Sequence, residues 1–192
     1  CPFGAIDERS SIVPVIMSIK TGSKVIAMVA PSIVGQFGLK VKADQIYTAL
    51  KMAGFADVVE VAIGADIVSV EEAEEYIEKV PAKQPFMTSS CCPAFVNIVK
   101  KYVPDAADKV SHTVSPMVAT GRWLKEQYPD ATTVFIGPCI AKKGEAKGYT
   151  EYIDYVLTFE EAMCLMEGKD IKVENVEAAE FERDGSKVGL GF

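Results

Sequence analysis

Two rhythms run through this chain: short unbroken apolar runs, and longer stretches in which apolar residues recur three and four positions apart. The first apolar run, Ser11 to Ile19, closes at a Thr21-Gly22-Ser23 turn. Lys24 to Val29 (KVIAMV) is short, wholly apolar in its centre and bounded by that turn and by Ala30-Pro31, the pattern of a buried strand. Asp44 is placed to cap a helix with Ile46, Ala49, Leu50 and Ala53 on one face and Gly54 at its end. Asp57 to Ile63 (DVVEVAI) predicts a second strand. Ser69-Val70-Glu71-Glu72 has the form of a capping box, opening a helix with Ala73, Tyr76, Ile77 and Val80 on its apolar face.

A second stretch of alternating elements follows. Phe86 to Thr88 reads as extended, and Pro93 starts a helix with Phe95, Ile98, Val99 and Tyr102 at helical spacing. Ser115-Pro116 is a helix start, serine as cap and proline at the first position, running to about Tyr128. Thr132 to Ile136 and Tyr155 to Leu157 read as strands. Thr158-Phe159-Glu160-Glu161 is a further capping box, before a helix ending near Gly168, and Ile171 to Val188 predicts a hairpin turning at Asp184-Gly185. Strands alternating with helices predict an α/β fold: two lobes of mostly parallel twisted sheet flanked by helices. The expected divisions are a linker over 1–22, a first lobe over 23–84, and a second lobe with a C-terminal segment over 85–192.

Composition narrows the functional classes. The net charge of -7, without a Lys/Arg cluster to offset it, argues against a nucleic-acid partner. No apolar run reaches the roughly 18 residues that span a bilayer, and the start lacks the regions of a signal peptide, so no membrane partner and a cytoplasmic location are expected. Five cysteines, Cys1, Cys91, Cys92, Cys139 and Cys164, are an odd count with two adjacent, which does not suit a disulfide framework. Unpaired thiols are core residues, metal ligands or nucleophiles, and position decides among them.

In parallel sheets, ligands bind beyond the carboxyl ends of strands. Three expected strands end in Ala30-Pro31-Ser32, Thr88-Ser89-Ser90-Cys91-Cys92-Pro93 and Gly137-Pro138-Cys139, each joining a proline to small polar or sulfur side chains. Parallel strands bring these ends to one edge and three thiols to one site, which suits a soft-metal or iron-sulfur centre. The alternative is that each cysteine is a small buried hydrophobe. A zinc site has neither a CxxC pair nor a nearby histidine.

These segments resemble the [FeFe]-hydrogenase family. Ser89-Ser90-Cys91-Cys92-Pro93-Ala94-Phe95 is similar to its first signature, normally TSCCPxW. Gly137-Pro138-Cys139-Ile140-Ala141-Lys142-Lys143-Gly144-Glu145 is similar to the second, normally MPCxxKxxE. Ser115-Pro116-Met117, Gly64-Ala65-Asp66 with the following glutamates, and Ala30-Pro31-Ser32 match intervening segments. The resemblance implies an oxidoreductase with an H-cluster, a [4Fe-4S] cubane joined by a cysteine thiolate to a diiron unit. It makes Cys92 and Cys139 cubane ligands and Cys91 the proton-exchanging thiol. It extends a proton path through Glu72, Glu75 and Ser111, and makes Lys142 a donor to a cyanide ligand. Ala30, Pro31, Ser32, Pro116, Met117, Pro138 and Glu145 would line or support the pocket. Cys1-Pro2 is similar to the end of an upstream ferredoxin-type cluster motif, with Cys1 as ligand, which implies a ferredoxin-type electron partner. H2 and protons are the implied substrates.

The chain also departs from the pattern. The third signature, with the two remaining cubane cysteines, is absent, so the chain is expected to be truncated and inactive alone. Phe95 stands where the family has Trp, and Gly137 where it has Met, which resembles divergent branches associated with sensing. The competing readings are a hydrogen- or redox-sensing relative, and an iron-sulfur assembly or electron-transfer relative without the diiron unit. Plainer readings stand beside these: Glu72 closing a capping box, Glu75 on a solvated face, Lys142 and Lys143 as exposed charges, Ser111 as a cap or turn residue, Cys164 in the core, and His112 with no role.

Overall fold

The computed structural model describes residues 8–179, 185, 186 and 189 of the chain. Its elements in order are α1 (Ile12–Lys20), β1 (Val25–Val29), α2 (Ala43–Met52), β2 (Asp57–Glu60), α3 (Ala62–Lys79), α4 (Pro93–Tyr102), α5 (Pro116–Gln127), β3 (Thr132–Gly137), α6 (Ala141–Ala146), β4 (Tyr155–Thr158) and α7 (Phe159–Glu167). The four strands form one parallel sheet in the order β2-β1-β3-β4. Strands from both halves of the sequence therefore share a single ladder.

All five residues of β1 are buried, as expected for a central strand covered on both faces. The core gathers here: Ile26, Met28, Ile46, Leu50, Ile136, Leu157 and Met166 are inaccessible, each burial stabilising by about 1.5–3 kcal/mol. Helix α5 packs against β1 and β3, and α7 against β3 and β4. The predicted box at Thr158 is present: the Thr158 hydroxyl accepts from Glu161 N (3.2 Å) and Glu161 Oε2 from Thr158 N (2.8 Å).

The order β2-β1-β3 places a topological switch between β1 and β3, because the chain builds outward from β1 on one side and then returns to its other side. Neighbouring connections leave such a point in opposite directions, so a crevice opens beyond the strand ends.

Several expectations are corrected. Lys42, not Asp44, is the cap position of α2, with Gln45 Oε1 accepting from Lys42 N; Asp44 lies in the first turn, where its charge suits the helix dipole. The second strand ends at Glu60, and the chain turns at once into α3, which runs unbroken through Ser69. Ser69 therefore caps nothing: its hydroxyl donates to Ala65 O one turn back (2.7 Å).

The distal half of α3 is inverted relative to its pattern. Tyr76 and Ile77 point outward, Ile77 at 77 % exposure, whereas Glu72, Glu75 and Lys79 turn toward the segment between Thr88 and Thr113. Helix α4 likewise buries only Val99 of its four predicted apolar positions. Phe86–Thr88 joins no strand of the sheet; Thr88 makes an isolated parallel bridge with Val110. The described residues 171–179 hold a 3-10 turn at Val173–Asn175 instead of a hairpin strand, and Asp184 lies outside the described residues.

Candidate functional site

A pocket of about 380 Å³ occupies the switch-point crevice. The end of β1 contributes Ala30, Pro31 and Ser32, the end of β3 contributes Pro138 and Cys139, and the start of α5 contributes Pro116 and Met117. Cys91 and Lys142 complete the chemically active lining, so nine of the residues expected to meet at one site do so. Proline fixes the backbone just past each strand, and the parallel register of β1 with β3, Val29 opposite Ile136, holds the two loops side by side.

Cys91 arrives by a different route from the one its sequence suggested. No sheet strand delivers it; polar tethers do. Glu72 Oε1 accepts from Ser90 N (3.1 Å), and its Oε2 from the Ser89 hydroxyl (3.2 Å). The Ser90 hydroxyl donates to Thr113 O (2.6 Å). On the far side Lys142 Nζ donates to Cys91 O (3.0 Å) and to Glu145 Oε2 (2.8 Å). Glu145 does not line the pocket; it fixes the ammonium that does. With two of its three hydrogens so used, Lys142 keeps one for an anionic ligand.

The adjacent thiols diverge. Cys92 is exposed at the cap position of α4, where its sulfur accepts from Phe95 N (3.5 Å), and it is not part of the pocket lining. Among the described residues no group of three or more His, Cys, Asp or Glu side chains is placed to hold a metal ion. Two thiols facing one pocket from different loops, a cation and a mostly apolar lining nonetheless fit a soft-metal group that brings anionic ligands of its own.

A polar cluster is centred on the carboxylate of Glu75. Glu75 accepts from the Ser111 hydroxyl (2.6 Å), from Lys79 Nζ (2.6 Å) and from His112 N (3.1 Å), and His112 Nδ1 lies 2.8 Å from its Oε1. Burial pushes its pKa up, but the hydrogen bonds from Lys79, Ser111 and His112 outweigh that and hold it at about 2. Glu75 is thus not the solvated side chain that its spacing suggested; its side chain is 13 % exposed. Ser111 is buried and its hydroxyl lies 3.0 Å from Thr113 Oγ1, itself 3.2 Å from Ser90 Oγ. A continuous chain of polar groups therefore connects exposed His112 to the residue before Cys91.

A depressed carboxylate pKa stabilises the fold fully above the unfolded value of about 4.5, and that stability is lost as pH falls toward 2. E75Q is expected to lower stability by about 2 kcal/mol at pH 7, with allowance for solvent screening. The gap from wild type should narrow below pH 4.5, which urea melts at pH 7, 4 and 2.5 will test. A gap independent of pH would contradict the assignment.

The match to known proteins extends over the whole of this arrangement. Residues 23–191 match the family described as iron only hydrogenase large subunit, C-terminal domain. The chain belongs to that family. It is 32% identical to iron hydrogenase 1 of Clostridium pasteurianum, over 95% of this chain and 36% of that protein. It is 28% identical to the NADP-reducing hydrogenase subunit HndD of Solidesulfovibrio fructosivorans, over 76% of this chain and 29% of that protein. A solved structure of a variant apo [FeFe]-hydrogenase from Chlamydomonas reinhardtii superimposes with a TM-score of 0.79 at 23% identity, covering 95% of this chain and 54% of that one. The chain therefore spans about a third of the length of the curated relatives and about half of the solved structure.

Within this hydrogenase-family fold, four pocket-lining residues were not among the expected site residues: Val61, Ala65, Phe135 and Gly189. Phe135 had a signal, since it lies two residues before Gly137 and shares its face of the strand. Gly189 had none. It reaches the pocket because Asp66 on α3 accepts from Gly189 N (2.9 Å), Ser186 N (2.7 Å) and Ser186 Oγ (2.5 Å). A Cβ at Gly189 would lie 2.2 Å from Ala62 O, so only glycine permits this approach.

Cys164 is exposed, not in the core, because α7 buries Ala162, Leu165 and Met166 on its other side. Ser115 holds the cap position of α5, but its buried hydroxyl has no hydrogen-bond partner among the described residues. Cys1 lies outside the described residues.

Proposed function

We propose that the parent protein is an [FeFe]-hydrogenase, interconverting H2 with two protons and two electrons at an H-cluster. The carrying observation is that Cys91, Cys139 and Lys142 face one pocket at the switch point of a chain whose family is iron-only hydrogenase. When bound, the cluster supplies the redox-active iron at which H2 is made or split. Cys139 and Cys92 would serve as cubane ligands, Cys92 reaching the cluster from its exposed position at the start of α4.

The chain's own residues hold and move the proton. Cys91, fixed through its carbonyl by Lys142, presents a thiol to the pocket, where it exchanges a proton with the bound group as general acid and base. Glu72, Ser111 and Glu75 would extend the proton path from that thiol to the surface, a role supported by the hydrogen bonds of Glu72 to Ser90 and of Glu75 to Ser111. Lys142 offers its remaining hydrogen to an anionic ligand such as cyanide. Ala30, Pro31, Ser32, Pro116, Met117 and Pro138 would line the rest of the pocket around the bound group.

A ferredoxin-type electron partner and a cytoplasmic location belong to the same proposal, with Cys1 as a ligand of an upstream [4Fe-4S] cluster. No helix among the described residues is long and apolar enough to cross a membrane. One observation favours a sensing relative as the second reading: Gly137 replaces the side chain that the family signature places beside the pocket.

Infrared spectroscopy of the matured full-length parent tests the proposal. Bands from bound CO and cyanide are expected. Their absence, with the cubane present, would leave only an electron-transfer or assembly relative. Bands without measurable H2 uptake or evolution would favour the sensor.

A further inference from the structure

The pocket wall at Gly137 is built from a neighbouring residue. Thr133, Phe135 and Gly137 share one face of β3 by the two-residue period of a strand. A Cβ placed on Gly137 would lie 2.5 and 2.6 Å from two carbons of the Phe135 ring, and 3.5 Å from the Cβ of Ala30. Side-chain carbons do not approach so closely, so any residue larger than glycine at 137 must expel the ring. The ring is itself 3 % exposed and lines the same pocket as Cys91 and Cys139. Position 135 and position 137 compete for one space.

We propose that Phe135 is a specificity-determining residue of this pocket: its ring, folded over Gly137, supplies the section of wall that a side chain at 137 would otherwise form. The ring is flat and stiff, with two rotatable bonds, whereas an unbranched side chain at 137 would be mobile and adaptable. The wall therefore sets a fixed limit on the room left for a compact, uncharged ligand in this pocket. The hydrogenase reading supplies only the identity of that ligand; the competition between the two positions is independent of it.

Two measurements test this. In the metal-free chain, F135A leaves a cavity and G137M overpacks the wall, so each should lower Tm. The double variant should melt at least about 3 °C above the value obtained by adding the two losses, because each change relieves the other. The milder pair F135L and G137A should show the same sign at smaller size, which covers the case of an F135A chain that does not fold. Simple additivity in both pairs would overturn the proposal.

The second measurement is infrared spectroscopy of the matured parent. F135A and F135L should shift the CO bands, a change that a merely structural role would not produce. Unmoved bands in both variants would show that the ring does not face the ligand. A wild-type parent without CO bands would instead defeat the hydrogenase reading, while the stability coupling between positions 135 and 137 would stand.

Discussion

Replacing Cys91 by alanine is expected to reduce H2 turnover by the matured parent about 10²- to 10⁴-fold, the usual contribution of a positioned proton donor. The substitution isolates the thiol well. Every tether of its loop is made by something else: Glu72 holds Ser90 N, Thr113 holds the Ser90 hydroxyl, and Lys142 holds the carbonyl of residue 91. Alanine keeps that carbonyl, so the loop should stay in place and the bands of the bound cluster should persist. H2 evolution with a reduced dye, measured beside the infrared spectrum, separates loss of proton transfer from loss of the cluster. Undiminished turnover by C91A would remove the thiol from the mechanism.

The second large effect is expected at Gly64. Here α3 and α5 approach so closely that a Cβ at 64 would lie 2.2 Å from Pro116 O, 2.3 Å from Thr120 Oγ1 and 2.8 Å from Thr120 N. Two of those atoms are backbone, and the Thr120 hydroxyl is itself engaged in donating to Pro116 O (2.8 Å). No side chain can swing aside, so the helices must separate. G64A is expected to destabilise by about 2–3 kcal/mol, seen as a drop in Tm of roughly 5–10 °C. Because Pro116 and Met117 line the pocket, the same displacement should disturb cluster binding before global unfolding. A Tm within about 2 °C of wild type would mean that the two helices are not in this contact.

What could be read in advance follows from how far each determinant lies from its effect along the chain. The strands β1, β3 and β4, the start of α5 and the box at Thr158 rest on neighbouring residues: an apolar run, a Ser-Pro pair, a threonine three positions before a glutamate. Ala30-Pro31-Ser32 and Gly137-Pro138-Cys139 were placed correctly because parallel strands alone dictate where their ends fall. The position of Cys91 was also anticipated, but from a strand that does not exist. Its actual supports run from Glu72 and from Lys142, the latter 51 residues away, and no spacing rule encodes such pairs.

The same cause explains the misread charges. Glu75 is turned inward by Ser111, 36 residues on, and Lys143 is paired with Glu161 at 2.8 Å and with Glu8 at 3.4 Å instead of standing in solvent. In α3 the apolar stripe predicted the wrong inner face, since ion pairs and hydrogen bonds orient its distal half. Periodicity misplaced Glu72 and Glu75 because their partners, Ser89, Ser90 and Ser111, lie 17 to 36 residues further along the chain.

The shared sheet makes the two sides of the pocket mechanically unequal. Five consecutive backbone pairs bind β1 to β3, so the loops after them cannot part without unzipping the centre of the fold. The opposite rim hangs on single hydrogen bonds made by the side chains of Glu72, Ser90 and Lys142, each breakable singly at small expense. Breathing of the cavity is therefore confined to the rim that carries Cys91, and the stationary strand ends act as the anvil against which it closes.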